Sequence, residues 1–184
     1  MRTPSVNWRR YPRQFASWTM TLNGRIGFLQ EADKIQSALG ERALRIEHVG
    51  STSVPELPAK PIIDIVFSVA DSGREAEYVE LLEKAGYQLR IREPDWHQHR
   101  MFKGPENKTN LHVFSEGCPE IDRMLIFRDW LRASGSDREL YARSKRELAQ
   151  QEWKYTQNYA DAKTSVIDDI MSRARMRCSD RLRG

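Results

Sequence analysis

The sequence contains little cysteine and no long apolar run. Its two cysteines, Cys118 and Cys178, lack metal-ligand spacing, so neither a disulfide framework nor a cysteine-bound zinc site is predicted. No stretch approaches the roughly 18 apolar residues of a membrane span. The first 15 residues lack the apolar middle of a secretion signal, and internal repeats and low-complexity tracts are absent. These absences predict a cytoplasmic protein that does not enter a membrane.

The composition predicts a folded domain with an unevenly charged surface. Hydrophobic residues make up 39% of the 184 residues and charged residues 30%, which is enough for a core and a well-solvated surface. The net charge of +4 lies in the C-terminal part, where residues 123–184 hold 14 lysines and arginines against 9 acids. This excess would attract phosphate-bearing partners, although an ordinary solvated helical surface explains a bias of this size equally well.

Hydrophobic periodicity predicts helices at both ends of the chain and strands between them. Phe15, Trp18, Leu22, Ile26 and Leu29 recur at spacings of three and four residues, as on one face of a helix. The stretch PIIDIVFSV (61–69) is rich in β-branched residues and is the clearest strand. The predicted helices are 12–39, 72–86, 119–133, 137–153 and 159–176, and the predicted strands are 43–49, 61–69, 87–91, 97–102 and 110–114.

This order predicts an α+β fold with a mixed sheet, an N-terminal helix and a C-terminal helical cap. We expect a core at 1–116 and a cap at 117–184, packed together as a single structural unit. The KGPEN sequence between the last two strands predicts a hairpin.

A Gly-Ser-Thr-Ser run before the clearest strand predicts a phosphate site. Gly50 allows close approach of the backbone to a ligand, and the hydroxyl and N–H groups of Ser51, Thr52 and Ser53 can donate to an anion. Lys60 adds a positive charge one loop later. A plain turn with Lys60 on the surface is the alternative.

Asp64 is the single acid on that strand. Alternation places it on one face with Val66 and Ser68. Two-metal phosphoryl or nucleotidyl transfer commonly uses acids at positions i and i+2 of such a strand, and Val66 occupies the second position here. The remaining carboxylate can act as a base, bind one metal weakly or pair with a cation, but it cannot form half of a two-metal clamp.

Histidines supply the candidate acid–base groups. His112 is the preferred general acid or base, because imidazole titrates near neutral pH, and His48 is the competing choice. Asp95, His97 and His99 alternate, so on a strand they would share a face, where they could ligate a metal or, with Arg100, line a substrate pocket. Ser51 or Ser53 could also hold an acyl group if a histidine activates it.

The C-terminal helices carry candidate phosphate ligands. Arg128 and Arg132 are four residues apart and face the same way, and Lys145 and Lys163 follow on later helices, so all four could contact a phosphate or RNA backbone. Solvated salt bridges are the alternative for each. The interleaved aromatic residues Trp130, Trp153, Tyr155 and Tyr159 could stack on bases or pack in the core.

The motifs HVGSTSVP, AKPIIDI, NLHVF, FRDWLR and YARSKREL resemble, in order and spacing, those of the GrpB family. The resemblance implies a nucleotidyltransferase-like fold, whose signature is a Gly-Ser turn followed by an acid pair on a strand. Gly50, Ser51 and Asp64 match that signature, and Val66 departs from it. In such a fold a later strand supplies a third carboxylate, and His112 takes the equivalent place.

Some relatives in the resembled family are arginine-containing cyclodipeptide synthases, which take aminoacyl groups from aminoacyl-tRNA. The leading hypothesis is therefore a transferase that uses an aminoacyl-tRNA-type substrate and requires no cofactor. A nucleotidyltransferase or nucleotide-binding enzyme, with Mg²⁺, is the first alternative. A non-catalytic RNA- or nucleotide-binding module is the second. The sequence gives no indication of the oligomeric state.

Overall fold

The computed structural model describes residues 22–150 and 163–181. Residues 12–21 of the predicted first helix lie outside this range, as do Trp153, Tyr155 and Tyr159. The helices are α1 (Leu22–Leu39), α2 (Val79–Lys84), α3 (Pro119–Ala133), α4 (Gly135–Ala149) and α5 (Thr164–Arg181). The strands are β1 (Arg45–Val49), β2 (Ile63–Val69), β3 (Gln88–Glu93), β4 (His99–Lys103) and β5 (Thr109–Ser115). Among the described helices, none combines the length and apolar character needed to cross a membrane.

The described residues fall into two compact units. Residues 22–132 form one of them, and 133–150 with 163–181 belong to the other. The first unit contains the whole sheet and nearly all of α3. The predicted boundary at residue 116 falls between β5, the last strand, and α3, and the division into a core and a cap stays a prediction.

A five-stranded mixed sheet organises the larger unit, with strand order β1-β2-β5-β4-β3. β2 and β5 run parallel, and the other neighbouring pairs are antiparallel. The antiparallel pairing of β4 with β5 confirms the hairpin predicted around KGPEN. β2 lies between two other strands, which explains its nearly continuous apolar sequence.

Each face of the sheet is covered by helices. On one face, Ile65, Phe67 and Val69 of β2 pack in a core that includes residues of α1 and α2. On the other face, Val66 and Phe114 pack in a second core with Ile121 and Leu125 of α3. The mixed sheet, the helix before it and the helices after it confirm the α+β fold class predicted from the sequence.

The hairpin between β3 and β4 corrects one prediction. β3 extends to Glu93 and β4 begins only at His99, so Asp95 and His97 lie in the connecting turn rather than on a strand. His97 and Gln98 have φ values of 52° and 49°, as in a turn whose two central residues are left-handed. The prediction that Asp95, His97 and His99 share a strand face is therefore wrong.

The smaller unit joins α4 to α5 through a charged pair. The Ser134 hydroxyl accepts a hydrogen bond from the Asp137 backbone N–H at 3.3 Å and caps α4. The buried Asp137 carboxylate accepts from Arg173, with a shortest distance of 2.7 Å. Ile170 and Ala174 of α5 are fully buried.

Candidate active site

Asp64 lies at the start of β2 in a short chain of polar groups. The Asn110 amide nitrogen donates to Asp64 Oδ1 at 2.6 Å, and the Lys103 ammonium donates to Asn110 Oδ1. Register places the three residues side by side on β2, β5 and β4. All three are half-buried. Burial lowers the pKa of Lys103, and the nearby Asp64 partly opposes that shift. The arrangement can bind a polar or anionic group beside a carboxylate.

Gly50 is required by the Asp64 carboxylate. Its φ of +70° and ψ of −173° fall in a region that side chains other than glycine rarely adopt. A Cβ atom at this position would lie 2.3 Å from Asp64 Oδ2. The close approach expected from the sequence is therefore made by the protein's own acid.

The hydroxyl groups after Gly50 are largely used to hold the turn. Ser53 is buried and its hydroxyl donates to the Gly50 carbonyl at 2.6 Å. The buried Thr52 hydroxyl donates to the Ile62 carbonyl at 3.2 Å. Ser51 is half-buried, as is Lys60, whose pKa is lowered by burial. Ser51 and Lys60 thus stay the more accessible candidates for phosphate binding in this segment.

His48 lies on the face of the sheet opposite Asp64. It pairs with Ile65 across the β1–β2 ladder, stacks on Phe28 of α1 at 4.9 Å and lies 3.0 Å from the Thr52 hydroxyl. Because that hydroxyl donates to Ile62, His48 Nε2 must carry the proton in this hydrogen bond. Burial, followed by the positive charges of α3, lowers the pKa of His48 to about 4. The environment is that of a neutral structural histidine.

His112 lies on the same face as Asp64. Register pairs it with Val66, the next residue after Asp64 on that face of β2. Sheet geometry then puts roughly 8 Å between the Cα atoms of His112 and Asp64. Its Nδ1 is 3.0 Å from His99 Nε2, and His99 Nδ1 is 2.6 Å from Glu93 Oε2. Burial, with smaller contributions from His99 and a lysine, lowers the pKa of His112 to about 3. The lowered pKa of both rings corrects the expectation that these imidazoles titrate near neutral pH, so the geometry alone separates the two candidate bases. His112 is the one that shares a face with the acid.

The remaining residues of the predicted pocket lining diverge. Asp95 and His97 are exposed on the turn. The buried Arg100 side chain donates to Glu75 at 2.6 Å and to the Gln98 carbonyl at 2.9 Å. Only His99 joins the candidate site, through His112.

The cations of α3 are committed to internal contacts. Arg128 donates to Glu47 at 2.7 Å and to the His48 carbonyl at 3.0 Å. Arg132 donates through two nitrogens to the Ser53 carbonyl, at 2.8 and 3.0 Å. These hydrogen bonds fix α3 to β1 and to the Gly-Ser turn.

The smaller unit holds the other two predicted cations, Lys145 and Lys163. Lys145 is buried, with its ammonium 5.6 Å from the Tyr141 ring centroid, and is poorly placed to reach RNA. Lys163 is half-buried, and its carbonyl accepts from Ile167 at the start of α5. RNA contact by the four predicted cations stays a prediction.

The residues at Asp64 do not fit a two-metal clamp. Val66 is 1% exposed in the core under α3, so the second acid position is apolar and covered. The Lys103 ammonium already lies beside the amide that holds Asp64. Within 22–150 and 163–181, no group of three or more acids, histidines or cysteines is arranged to hold a metal ion.

Three functional candidates were missed in the sequence: Glu93, Lys103 and Asn110. Asn110 had a usable signal, because it lies two residues before His112 and therefore on the same face. Lys103 and Glu93 had none, because their positions depend on the register of the β3–β4–β5 hairpins.

Fold and site together define an α+β protein with a single-acid polar site beside a histidine pair. The family model described as GrpB protein matches residues 25–173, and the chain belongs to the GrpB family. A UPF0157 protein of Halalkalibacterium halodurans is 65% identical over 147 residues, covering 80% of this chain and 75% of that protein. The crystal structure of conserved protein GrpB from Enterococcus faecalis aligns with a TM-score of 0.76 at 30% identity, covering 86% of this chain and 96% of that one.

A dephospho-CoA kinase of Mycolicibacterium paratuberculosis is 33% identical over 144 residues. The match covers 64% of this chain but only 35% of that protein, so the similarity concerns one part of a longer chain. The nucleotidyltransferase-like assignment remains an implication of the family resemblance.

Proposed function

We propose that this GrpB-family protein is a transferase that works by acid–base chemistry on an activated acyl substrate, with aminoacyl-tRNA as the leading substrate class. The observation that carries the proposal is the placement of Asp64, Asn110 and His112 on one sheet face, with buried Val66 where a two-metal site needs its second acid. Acyl transfer from an ester needs a positioned amine and a proton acceptor, and it does not need a metal pair.

Each side chain has a role in this proposal. Asp64 holds the amine of the attacking substrate, and His112 accepts its proton as the new C–N bond forms. Lys103, bonded to Asn110, stabilises negative charge on the acyl oxygen. The ester C–O bond then breaks, and the leaving alkoxide takes up the proton that His112 accepted, which gives a free hydroxyl and a neutral histidine. Two such transfers would give a cyclodipeptide, with an arginine-containing product as the first candidate.

Burial and internal hydrogen bonds bear on which of the four predicted cations could reach RNA. Arg128 is 12% exposed in its side chain and bonded to Glu47, and Lys145 is buried. We therefore expect Lys60 and Lys163 to contribute more to any contact with tRNA phosphates. Such binding should weaken linearly with the logarithm of salt concentration.

The test is incubation with a mixed pool of charged tRNAs, followed by mass spectrometry for dipeptides. We expect His112→Gln to lower turnover by about 100-fold or more, the usual contribution of a general base. Asp64→Asn should also lower it, whereas the exposed Asp95→Asn serves as a matched control and should leave it unchanged. Product formation that survives His112→Gln would refute the assigned chemistry.

A nucleotide-binding function is the second candidate. It is favoured by the Gly-Ser turn ahead of Asp64, and one relative, matched over 35% of its length, is named a dephospho-CoA kinase. Calorimetry with nucleotides, with and without Mg²⁺, tests it. Activity lost on chelation and restored by Mg²⁺ would favour a metal-dependent nucleotidyltransferase, and binding without turnover would favour a non-catalytic module.

A further inference from the structure

We propose that Glu93, His99 and His112 form a proton relay that makes the Nε2 atom of His112 the proton acceptor of the candidate site. This inference deepens the proposed function and concerns the same site. It assigns Glu93 and His99 as positioning residues, since neither lies beside Asp64 on the sheet.

The hydrogen bonds fix where the protons lie. An ionised Glu93 carboxylate can only accept, so His99 Nδ1, 2.6 Å away, must donate to it. Neutral His99 then has an acceptor at Nε2, and His112 Nδ1 donates to that atom across 3.0 Å. His112 Nε2 is left with its lone pair. Among the described residues, no protein group is hydrogen-bonded to that nitrogen.

Packing holds the two rings in this orientation. The His99 ring stacks on Phe114 at 4.7 Å between centroids and meets the Trp96 indole edge-on at 5.3 Å. The His99 and His112 rings are within 16° of parallel. A 180° flip of either ring would break a hydrogen bond, and the contacts with Phe114 and Trp96 hold the plane of the His99 ring.

The relay moves one proton in and passes one along. A substrate proton binds His112 Nε2, and the proton on His112 Nδ1 moves to His99 Nε2. His112 ends neutral, and the positive charge rests on His99, bonded to the Glu93 carboxylate. This separates the site of proton uptake from the site that holds the charge.

The charges around the pair favour that endpoint. Burial lowers the pKa of both rings, but for His99 the hydrogen bond and charge of Glu93, and the charge of Glu120, oppose the decrease. Arg100 disfavours charge on His99, and Lys103 disfavours charge on His112. Within the part of the chain that the structure describes, no carboxylate is hydrogen-bonded to His112, so a proton is held more easily one ring further along.

The test is long-range ¹H–¹⁵N correlation spectroscopy on the full-length ¹⁵N-labelled protein. At pH 7 we expect both His99 and His112 to be neutral with the proton on Nδ1. His48 serves as an internal control with the opposite tautomer, because its Nε2 donates to Thr52. A proton on Nε2 of either His99 or His112 would overturn the relay.

Acidification provides a readout that simple packing would not change. The first proton to enter the pair should appear on His99, and Glu93→Gln should move that step about one pH unit or more lower, as expected for loss of an adjacent opposite charge. Asp95→Asn, an exposed acid on the same turn, should not move it. Protonation of His112 first, or an unchanged midpoint in Glu93→Gln, would contradict the proposal.

The relay and the proposed function can fail separately. Correct tautomers without turnover on any acyl substrate would retain the relay and remove the transferase. Turnover with the protons on Nε2 would retain the transferase and remove the relay.

Discussion

Replacing Gly50 with alanine should be among the most destabilising glycine substitutions in this protein. Two costs add at this position. The backbone region with φ near +70° and ψ near 180° costs a residue other than glycine about 1–3 kcal/mol. The new Cβ would also lie 2.3 Å from Asp64 Oδ2 and 2.8 Å from Asp64 Cβ.

The second cost cannot be relieved by a side-chain rotation alone. Contact with Asp64 Cβ means that the β2 backbone or the turn itself must shift, and that shift strains the Asn110–Asp64 hydrogen bond. Overpacking of this kind costs about 1–3 kcal/mol. We therefore expect Gly50→Ala to lower the free energy of unfolding by about 2–5 kcal/mol.

Gly40→Ala is the matched control. Gly40 also has a positive φ, +55°, but a Cβ there would meet no heavy atom within 4 Å. It should cost only about 1–2 kcal/mol, from the backbone alone. Both variants can be compared with wild type by urea unfolding at pH 7, provided that the slope with urea is unchanged. Equal destabilisation by the two substitutions would refute the steric argument.

Three further predictions concern stability. Burial raises the pKa of Glu31, but its hydrogen bonds, first that from Lys34, lower the pKa overall. The contribution of Glu31 to the free energy of unfolding is therefore present above about pH 4.5 and is lost as the pH falls through the folded pKa. The difference in stability between wild type and Glu31→Gln should shrink in acid. His48 has a folded pKa of about 4, below its unfolded value of 6.5, so the unfolded state binds more protons between these values. The free energy of unfolding should therefore fall from pH 6.5 towards pH 4 by up to roughly 3 kcal/mol, at about 1.4 kcal/mol per pH unit. Measured by urea unfolding at several pH values, this dependence on pH should be weaker in His48→Gln. Arg173→Met should lower the free energy of unfolding by about 1–3 kcal/mol, because the buried Asp137 carboxylate loses a bidentate donor. Thermal or urea unfolding measures this change, and a decrease below about 0.5 kcal/mol would contradict that role.

The order of helices and strands could be predicted from the sequence because it depends on local patterns. The β-branched run of β2 and the amphipathic periodicity of α3 are legible within a few residues, and α3 has the predicted bounds. The Gly50 turn and the lone Asp64 were visible for the same reason, since side-chain alternation on one strand places Val66 beside the acid.

The hairpin tip shows where local reasoning failed. The sequence PDWHQHR alternates as a strand would, yet His97 and Gln98 take left-handed backbone conformations. The Gln98 carbonyl accepts a hydrogen bond from Ser72, 26 residues earlier in the chain. Such tertiary hydrogen bonds can offset a strain of about 1–2 kcal/mol per residue that no short window of sequence displays.

The sequence by itself determined the elements, the Gly-Ser turn and the single acid of β2, because each of these follows from neighbouring residues. Only the tertiary structure decided which groups meet: Asn110 reaches Asp64 across 46 positions, and His112 meets His99 across 13. It also placed His48 on the face opposite Asp64 and used Arg128 to hold α3 to β1. The physical reason is that strand register sets the face and the partner of every side chain in the sheet. A shift of one residue would move each side chain of a strand to the opposite face.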